Sequence, residues 1–235
     1  MNVNEIVNKL KTDGVYLIEN YLEDYLPLKN ELKSWYDKIP DGREAGVNHG
    51  ILEIQDSYTS GKQLKISNNS YNLFPEVVKT FHHNQFISDI VDSFFGVPNN
   101  KGLQTFSTWE YIEVEEEKDY GRAQFLHFDP YHALKFFIYL DDVDQENATT
   151  FYIPKTNKIG KYLRKNRMMN AGEGYQGGLP HRIIDYPDIK VLEEDVVHVK
   201  AKAGSMLIFD TDVLHGGGIL KNGERMVVLY HNRKN

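Results

Sequence analysis

The sequence predicts a mainly β fold with helices packed on its outside, a barrel or sandwich rather than a parallel sheet. After Pro98, apolar and aromatic residues recur at every second position in short runs separated by turn residues. Before Pro98 they recur at threes and fours, the helical period. At 235 residues, with 40% hydrophobic and 12% aromatic side chains, the chain can bury a sizeable core. It reads as one domain over 1–235, with a helical part at 1–98 and a β core at 99–235. No internal repeat or low-complexity tract interrupts it.

The elements follow in order. Ile6, Val7 and Leu10 lie on one helical face, and Gly14 ends that helix; Val15 to Ile18 is a short strand. Leu22, Tyr25, Leu26, Leu28, Leu32 and Trp35 carry a second helix up to Pro40-Asp41-Gly42. Residues 41–72, rich in Gly, Asn, Ser and Asp, read as irregular surface. Pro75 opens a third helix that runs through Val77, Phe81, Ile87, Ile90 and Phe94 to Gly96. Strands are then expected at Leu103 to Val114, Ala123 to Asp129, Ala133 to Leu140, Thr150 to Ile153, Val196 to Lys200, Ser205 to Phe209 and Met226 to His231. Glu113 to Asp119 makes a solvated hairpin end. The Gly- and Arg/Lys-rich stretch from Gly160 to Glu194 breaks the strand rhythm and reads as a long irregular insertion.

Composition excludes several chemistries. The absence of cysteine removes disulfides, thiolate zinc sites, iron–sulfur clusters and a cysteine nucleophile. A formal charge of −7 argues against a general nucleic-acid or anionic-membrane binder. The start lacks a basic region followed by an apolar one, and no apolar run reaches the length of a membrane span, so a soluble cytoplasmic protein is expected.

Two strings carry chemistry. In Gln124-Phe125-Leu126-His127-Phe128-Asp129, residues two apart on a strand share a face, so His127 and Asp129 project together. Downstream, an apolar strand ends in His215-Gly216-Gly217-Gly218, where glycine lets backbone and ligand approach closely. Two histidines and a carboxylate make a facial set for a divalent metal of intermediate hardness, as in non-haem Fe(II) oxygenases, and leave three positions open. Arg225, ten residues after His215, suits the far carboxylate of a dicarboxylate such as 2-oxoglutarate. One geometric obstacle stands here. If Asn222-Gly223 were a hairpin turn, His215 would pair with Tyr230 and face away from Arg225, so the triglycine run must break the alternation with a bulge or a loop.

These motifs resemble the phytanoyl-CoA dioxygenase type of Fe(II)/2-oxoglutarate-dependent oxygenases. The resemblance rests on Gln124, His127 and Asp129, on the run Tyr139 to Asn147, on Pro154, and on Ala203-Gly204-Ser205 leading through Phe209 to His215 and Arg225. It implies a double-stranded β-helix, the cupin-like jelly roll. It also implies Fe(II), 2-oxoglutarate and O₂ as cofactor and cosubstrates, with His127, Asp129 and His215 holding iron. Arg225 is then the cosubstrate's anchor, and Gln104, Thr108 and Phe137 are further positions lining its pocket. Because Asp129 is present, hydroxylation or desaturation is expected rather than halogenation. The chain departs from the family pattern at Asn147-Ala148-Thr149-Thr150 and at Gly217, where many relatives carry a serine.

Other histidines have plainer readings. His49, His82, His83 and His231 show no partner pattern, His198 faces its strand neighbours, and His132 is either packed or near substrate. His181-Arg182 could meet an anion. The competing function is a cupin-like metal-binding isomerase or binding protein without oxygen chemistry, in which Arg225 has no role.

Overall fold

The computed structural model describes residues 2–41, 43–56, 62–82, 84–97, 103–111, 125–147, 149–170, 183, 186, 188–218, 220 and 225–233, with 56, 103–111, 167–170 and 233 described by backbone alone. Among them lie five α-helices, α1 (Val3–Thr12), α2 (Leu26–Tyr36), α3 (Pro75–Val77), α4 (Gln85–Phe95) and α5 (Asn157–Asn170). The strands are β1 (Val15–Ile18), β2 (Arg43–Asn48), β3 (Ile51–Asp56), β4 (Lys62–Ile66), β5 (Leu103–Tyr111), β6 (Ala133–Tyr139), β7 (Thr150–Ile153), β8 (Val197–His198), β9 (Met206–Asp210), β10 (Leu214–Gly217) and β11 (Arg225–Arg233). An eight-stranded sheet has the order β1-β9-β6-β11-β5-β4-β2-β3, and a smaller sheet the order β10-β7-β8.

Period-two alternation sorts the central strands of the large sheet between two cores. Leu134, Phe136 and Ile138 of β6, Met206 and Ile208 of β9, and Met226, Val228 and Tyr230 of β11 join the buried faces of α1, α2 and α4 in one cluster. Phe137, Tyr139, Leu207, Phe209, Val227 and Leu229 face the other way and meet Tyr152 of the small sheet. Beyond the small sheet a third cluster joins Phe128, Ile153 and Leu214 to Leu163 of α5 and Ile183. The order is therefore helices, large sheet, inter-sheet core, small sheet, outer cover. Two sheets face to face with helices outside make the expected jelly roll.

Several elements differ from expectation. Residues 43–66 form three strands that extend the large sheet, with β2 parallel to β4 and antiparallel to β3. The helix expected from Pro75 breaks: a π-helical turn follows at Val78–His82, and α4 restarts where the Asn84 side chain accepts from Ile87 N at 3.3 Å. The start of the supposed irregular insertion is helical, because α5 covers Asn157–Asn170; residues 171–182, including His181 and Arg182, lie outside the described residues. His83 and the acidic hairpin end, Glu113 to Asp119, lie outside them too.

His215 and Tyr230 do not pair. β10 bonds to β7 in the small sheet, while β11 lies between β5 and β6 in the large one. The conflict with Arg225 disappears because the chain changes sheets between the two residues.

Candidate metal centre

His127 and His215 lie opposite each other at an isolated antiparallel bridge, with each amide donating to the other's carbonyl at 2.8 Å. This bridge sets residues 125–129 beside β10 at the edge of the small sheet, in place of the longer strand expected there. Phe128 points outward into the third cluster, so His127 and Asp129 point inward. The His215 ring rests on Phe209 of the large sheet, with centroids 4.9 Å apart. Gly216 is required at this strand: a Cβ there would lie 2.3 Å from the Phe151 ring.

The three side chains converge. Asp129 Oδ1 lies 3.7 Å from Nε2 of both His127 and His215, and one ligand atom from each residue falls within 4.8 Å of the others. Nδ1 of His127 meets the Phe125 carbonyl at 2.7 Å, and Nδ1 of His215 meets that of Val213 at 2.7 Å. A carbonyl only accepts, so both Nδ1 atoms carry a proton, which leaves Nε2 of each ring as the nitrogen that can bind a metal. His215 Nε2 is buried and makes no hydrogen bond. Two imidazoles that aim Nε2 at one carboxylate, one of those nitrogens buried without a hydrogen bond, fit a divalent ion.

Electrostatics hold the ligands in binding form. Burial raises the Asp129 carboxyl, but the Lys135 cation and the two histidines outweigh it and keep the group well below the usual carboxylate range. Burial, with His127 and Lys135 acting in the same direction, pushes His215 well below the ordinary histidine value despite Asp129. Asp129 and His215 are thus both held in the deprotonated form that binds a metal.

A second group, His132, Asp210 and Asp212, also gathers within 4.8 Å. Arg164 of α5 donates to both Asp212 oxygens, at 2.7 and 2.9 Å. His132 lies 3.0 Å from Asp210 and edge-on to Phe94 and Phe95. Here Asp212 is already paired with a guanidinium, and His132 lies against Asp210 and two phenyl rings.

From the metal centre, the inter-sheet face of β6 runs Lys135, Phe137, Tyr139, about 13 Å from first to last at 3.3 Å per residue. Lys135 Nζ is 2.7 Å from Asp129 Oδ2. Phe137 lies edge-on to Phe209 at 5.1 Å, within the inter-sheet core as expected of a lining position. The Tyr139 hydroxyl donates to Thr150 Oγ1 at 2.9 Å. Arg225, 2% exposed, alternates with Val227 and Leu229 on the same face of β11, two residues beyond the Val227–Tyr139 pair. Burial raises the Tyr139 phenol, and the Arg225 charge opposes that rise.

Gln104 and Thr108 stand differently. The register sets them opposite Asn232 and Val228, and Val228 belongs to the helix-side cluster. Their side chains lie outside the described residues. His198 does face a strand neighbour, the Phe151 ring, at 5.6 Å, and His82 packs edge-on to Tyr71. His231, read as ordinary, pairs in register with Lys135, and the Tyr131 hydroxyl is 3.4 Å from its Nδ1. Sequence reasoning missed Lys135, although a lone cation inside the apolar run Ala133 to Leu140 is itself a signal. It also gave Tyr139 and Thr150 no role.

No helix among the described residues is long and apolar enough to cross a membrane. Three solved structures show the same fold. EvdO2 from Micromonospora carbonacea var. aurantiaca, complexed with 2-oxoglutarate, is 15% identical with a TM-score of 0.62, covering 98% of this chain and 90% of its own. HygX from Streptomyces hygroscopicus, with nickel and 2-oxoglutarate bound, is 12% identical with a TM-score of 0.62, covering 100% and 88%. SnoK, a non-heme alpha ketoglutarate dependent carbocyclase from nogalamycin biosynthesis, is 16% identical with a TM-score of 0.59, covering 100% and 86%. No curated protein sequence matches the chain. The family model for phytanoyl-CoA dioxygenase matches residues 13–226, a span that takes in both histidines, Asp129, Lys135 and Arg225. With most of its length matched and a three-ligand centre between its two sheets, the chain belongs to the phytanoyl-CoA dioxygenase family.

Proposed function

We propose that the chain is an Fe(II)- and 2-oxoglutarate-dependent dioxygenase that hydroxylates an unactivated C–H bond of a small metabolite, with release of succinate and CO₂. One observation carries the reading: a buried two-histidine, one-carboxylate set and a buried guanidinium share the space between the two sheets. His127, Asp129 and His215 hold the metal, and Arg225 takes the far carboxylate of 2-oxoglutarate. Tyr139 and Thr150 supply hydroxyls at that end. Phe137, Phe209 and Leu229 keep water from the space between. When bound, iron with 2-oxoglutarate and O₂ supplies the oxidation of the C–H bond; the side chains supply placement and a dry pocket. The 2-oxoglutarate bound to EvdO2 and HygX supports the cosubstrate.

Anaerobic titration with Fe(II) and then 2-oxoglutarate tests this, through the weak visible charge-transfer band of the chelate. The band is expected in the wild type and absent in His215→Ala. Arg225→Ala should need roughly ten- to a hundredfold more cosubstrate, the loss of one charge-assisted contact. Metal binding without the band, in folded wild type, moves the assignment to the cupin-like binding protein or isomerase. The carbocyclase SnoK gives a second outcome of the same oxidation, ring closure in place of hydroxylation. Product mass separates them, since hydroxylation adds one oxygen and ring closure removes two hydrogens.

A further inference from the structure

Lys135 is a charged residue where the fold otherwise places apolar ones. It stands mid-strand in β6, whose residues are all buried, and is itself 8% exposed. A cation so placed is costly unless it is paired, and its partner is the metal-ligand carboxylate. The two oxygens of Asp129 have different surroundings. Oδ1 lies 3.7 Å from both ligand nitrogens, whereas Oδ2 lies 2.7 Å from Lys135 Nζ.

We propose that Lys135 is a positioning residue that holds Oδ2 of Asp129 off the metal, so that the carboxylate gives Oδ1 alone and leaves the neighbouring coordination position open for 2-oxoglutarate. This rests on the function proposed above. A free carboxylate binds a divalent ion through one oxygen or through both. With both, the three protein groups fill four positions, leaving two for a chelating cosubstrate and O₂, which together need three.

The amine is well placed for this work. β6 is bonded on both sides, with Lys135 in register with Phe209 of β9 and His231 of β11. Nζ lies over the Phe209 ring, 5.5 Å from its centroid, and that ring also braces His215. The carboxylate is anchored from its own backbone, where Asp129 N donates to the Thr211 carbonyl at 3.2 Å. The pair is held from two directions, so neither side chain need move when metal enters.

The test uses the full chain with Co(II) as the probe, because its visible spectrum reports coordination without turnover. Lys135→Met keeps the stem and removes the charge; Lys135→Arg keeps a donor for Oδ2. Lys135→Met should bind one Co(II) at least as tightly as wild type, with a spectrum already altered before cosubstrate is added. Its half-saturating 2-oxoglutarate should rise tenfold or more, while Lys135→Arg stays within threefold of wild type. A Lys135→Met protein with the wild-type spectrum and 2-oxoglutarate response overturns the proposal. So does one that is folded by circular dichroism yet no longer binds Co(II). If Lys135→Met does not fold, Lys135→Gln is read by the same criteria. A wild type that binds Co(II) and ignores 2-oxoglutarate removes the proposed function instead, and the cobalt spectra of the variants still report whether Oδ2 was held back.

Discussion

Tyr139 sits on the inter-sheet face of β6, four residues along from Lys135, and buries one hydroxyl there. Burial keeps its phenol protonated, so the group remains a donor, and Thr150 Oγ1 takes that hydrogen at 2.9 Å. On the proposed function, the Thr150 hydroxyl then keeps its own hydrogen for the carboxylate that Arg225 would hold. Tyr139→Phe removes the orienting bond without removing the ring. The expected cost is about 1 kcal/mol of cosubstrate affinity, roughly fivefold in half-saturation. Metal affinity should not change, which a Co(II) titration beside a 2-oxoglutarate titration checks. Equal loss of both would mean that the ring position itself had shifted. At this scale the convergence of His127, Asp129 and His215 was legible because their chemistry is rare: they stand out as polar groups at strand ends. Lys135 and Tyr139 were harder to see, since their meaning comes from a face shared with Phe137 and from an oxygen supplied by a different segment.

Among elements, α5 bears on the candidate metal centre without contributing a side chain to it. It packs so closely on the corner before β10 that a Cβ at Gly160 would lie 1.8 Å from the Asp212 carbonyl oxygen, and Arg164 grips Asp212 from the next turn. That corner leads into Leu214 and His215. Gly160→Ala should therefore destabilise the fold by about 1–3 kcal/mol, as overpacking does, and weaken metal binding by displacing His215. Gly46→Ala in β2 is the control: nothing lies within 4 Å of its Cβ, so its melting temperature should stay within a degree or two of wild type. A Gly160→Ala protein that melts like the control would show that α5 can move away at no cost.

The same close contact explains why α5 was read as part of an irregular insertion. A glycine and five basic residues obscure a helix whose apolar stripe is narrow, and only Asp212, fifty residues on, gives Gly160 its reason. β2, β3 and β4 were missed for a related cause. They lie toward one edge of the sheet, where Ile51 and Ile54 are exposed, and short half-solvated strands dilute the alternation. β1 and β7, each buried at both ends, fall at the residues expected.

At the scale of the whole molecule, one strand serves stability and chemistry on opposite faces. β11 turns Arg225, Val227 and Leu229 toward the inter-sheet core and Met226, Val228 and Tyr230 toward the helices. Buried charges such as Asp129, Lys135 and Arg225 oppose folding unless each finds a partner, so the large apolar cluster behind the sheet offsets what those charges cost. Tyr230 belongs to that cluster, between the rings of Phe81 and Phe136 at 5.6 and 5.8 Å. Burial pushes its phenol up to about 12. A pKa raised in the folded state gives stability that is fully present below the unfolded value near 10. It is lost as pH rises from 10 toward 12, because the unfolded chain ionises first. The loss attributable to Tyr230 is at most about 3 kcal/mol, and Tyr21 and Tyr71, also raised by burial, act in the same direction. Urea unfolding of the wild type at pH 8 and pH 11 should show a marked fall in stability. Tyr230→Phe should start about 1 kcal/mol lower, since Asn232 Nδ2 loses its acceptor at 3.3 Å, yet fall less between the two pH values. If both proteins lose the same amount, the phenol ionises as readily folded as unfolded, and the helix-side core admits water at the strand that carries Arg225.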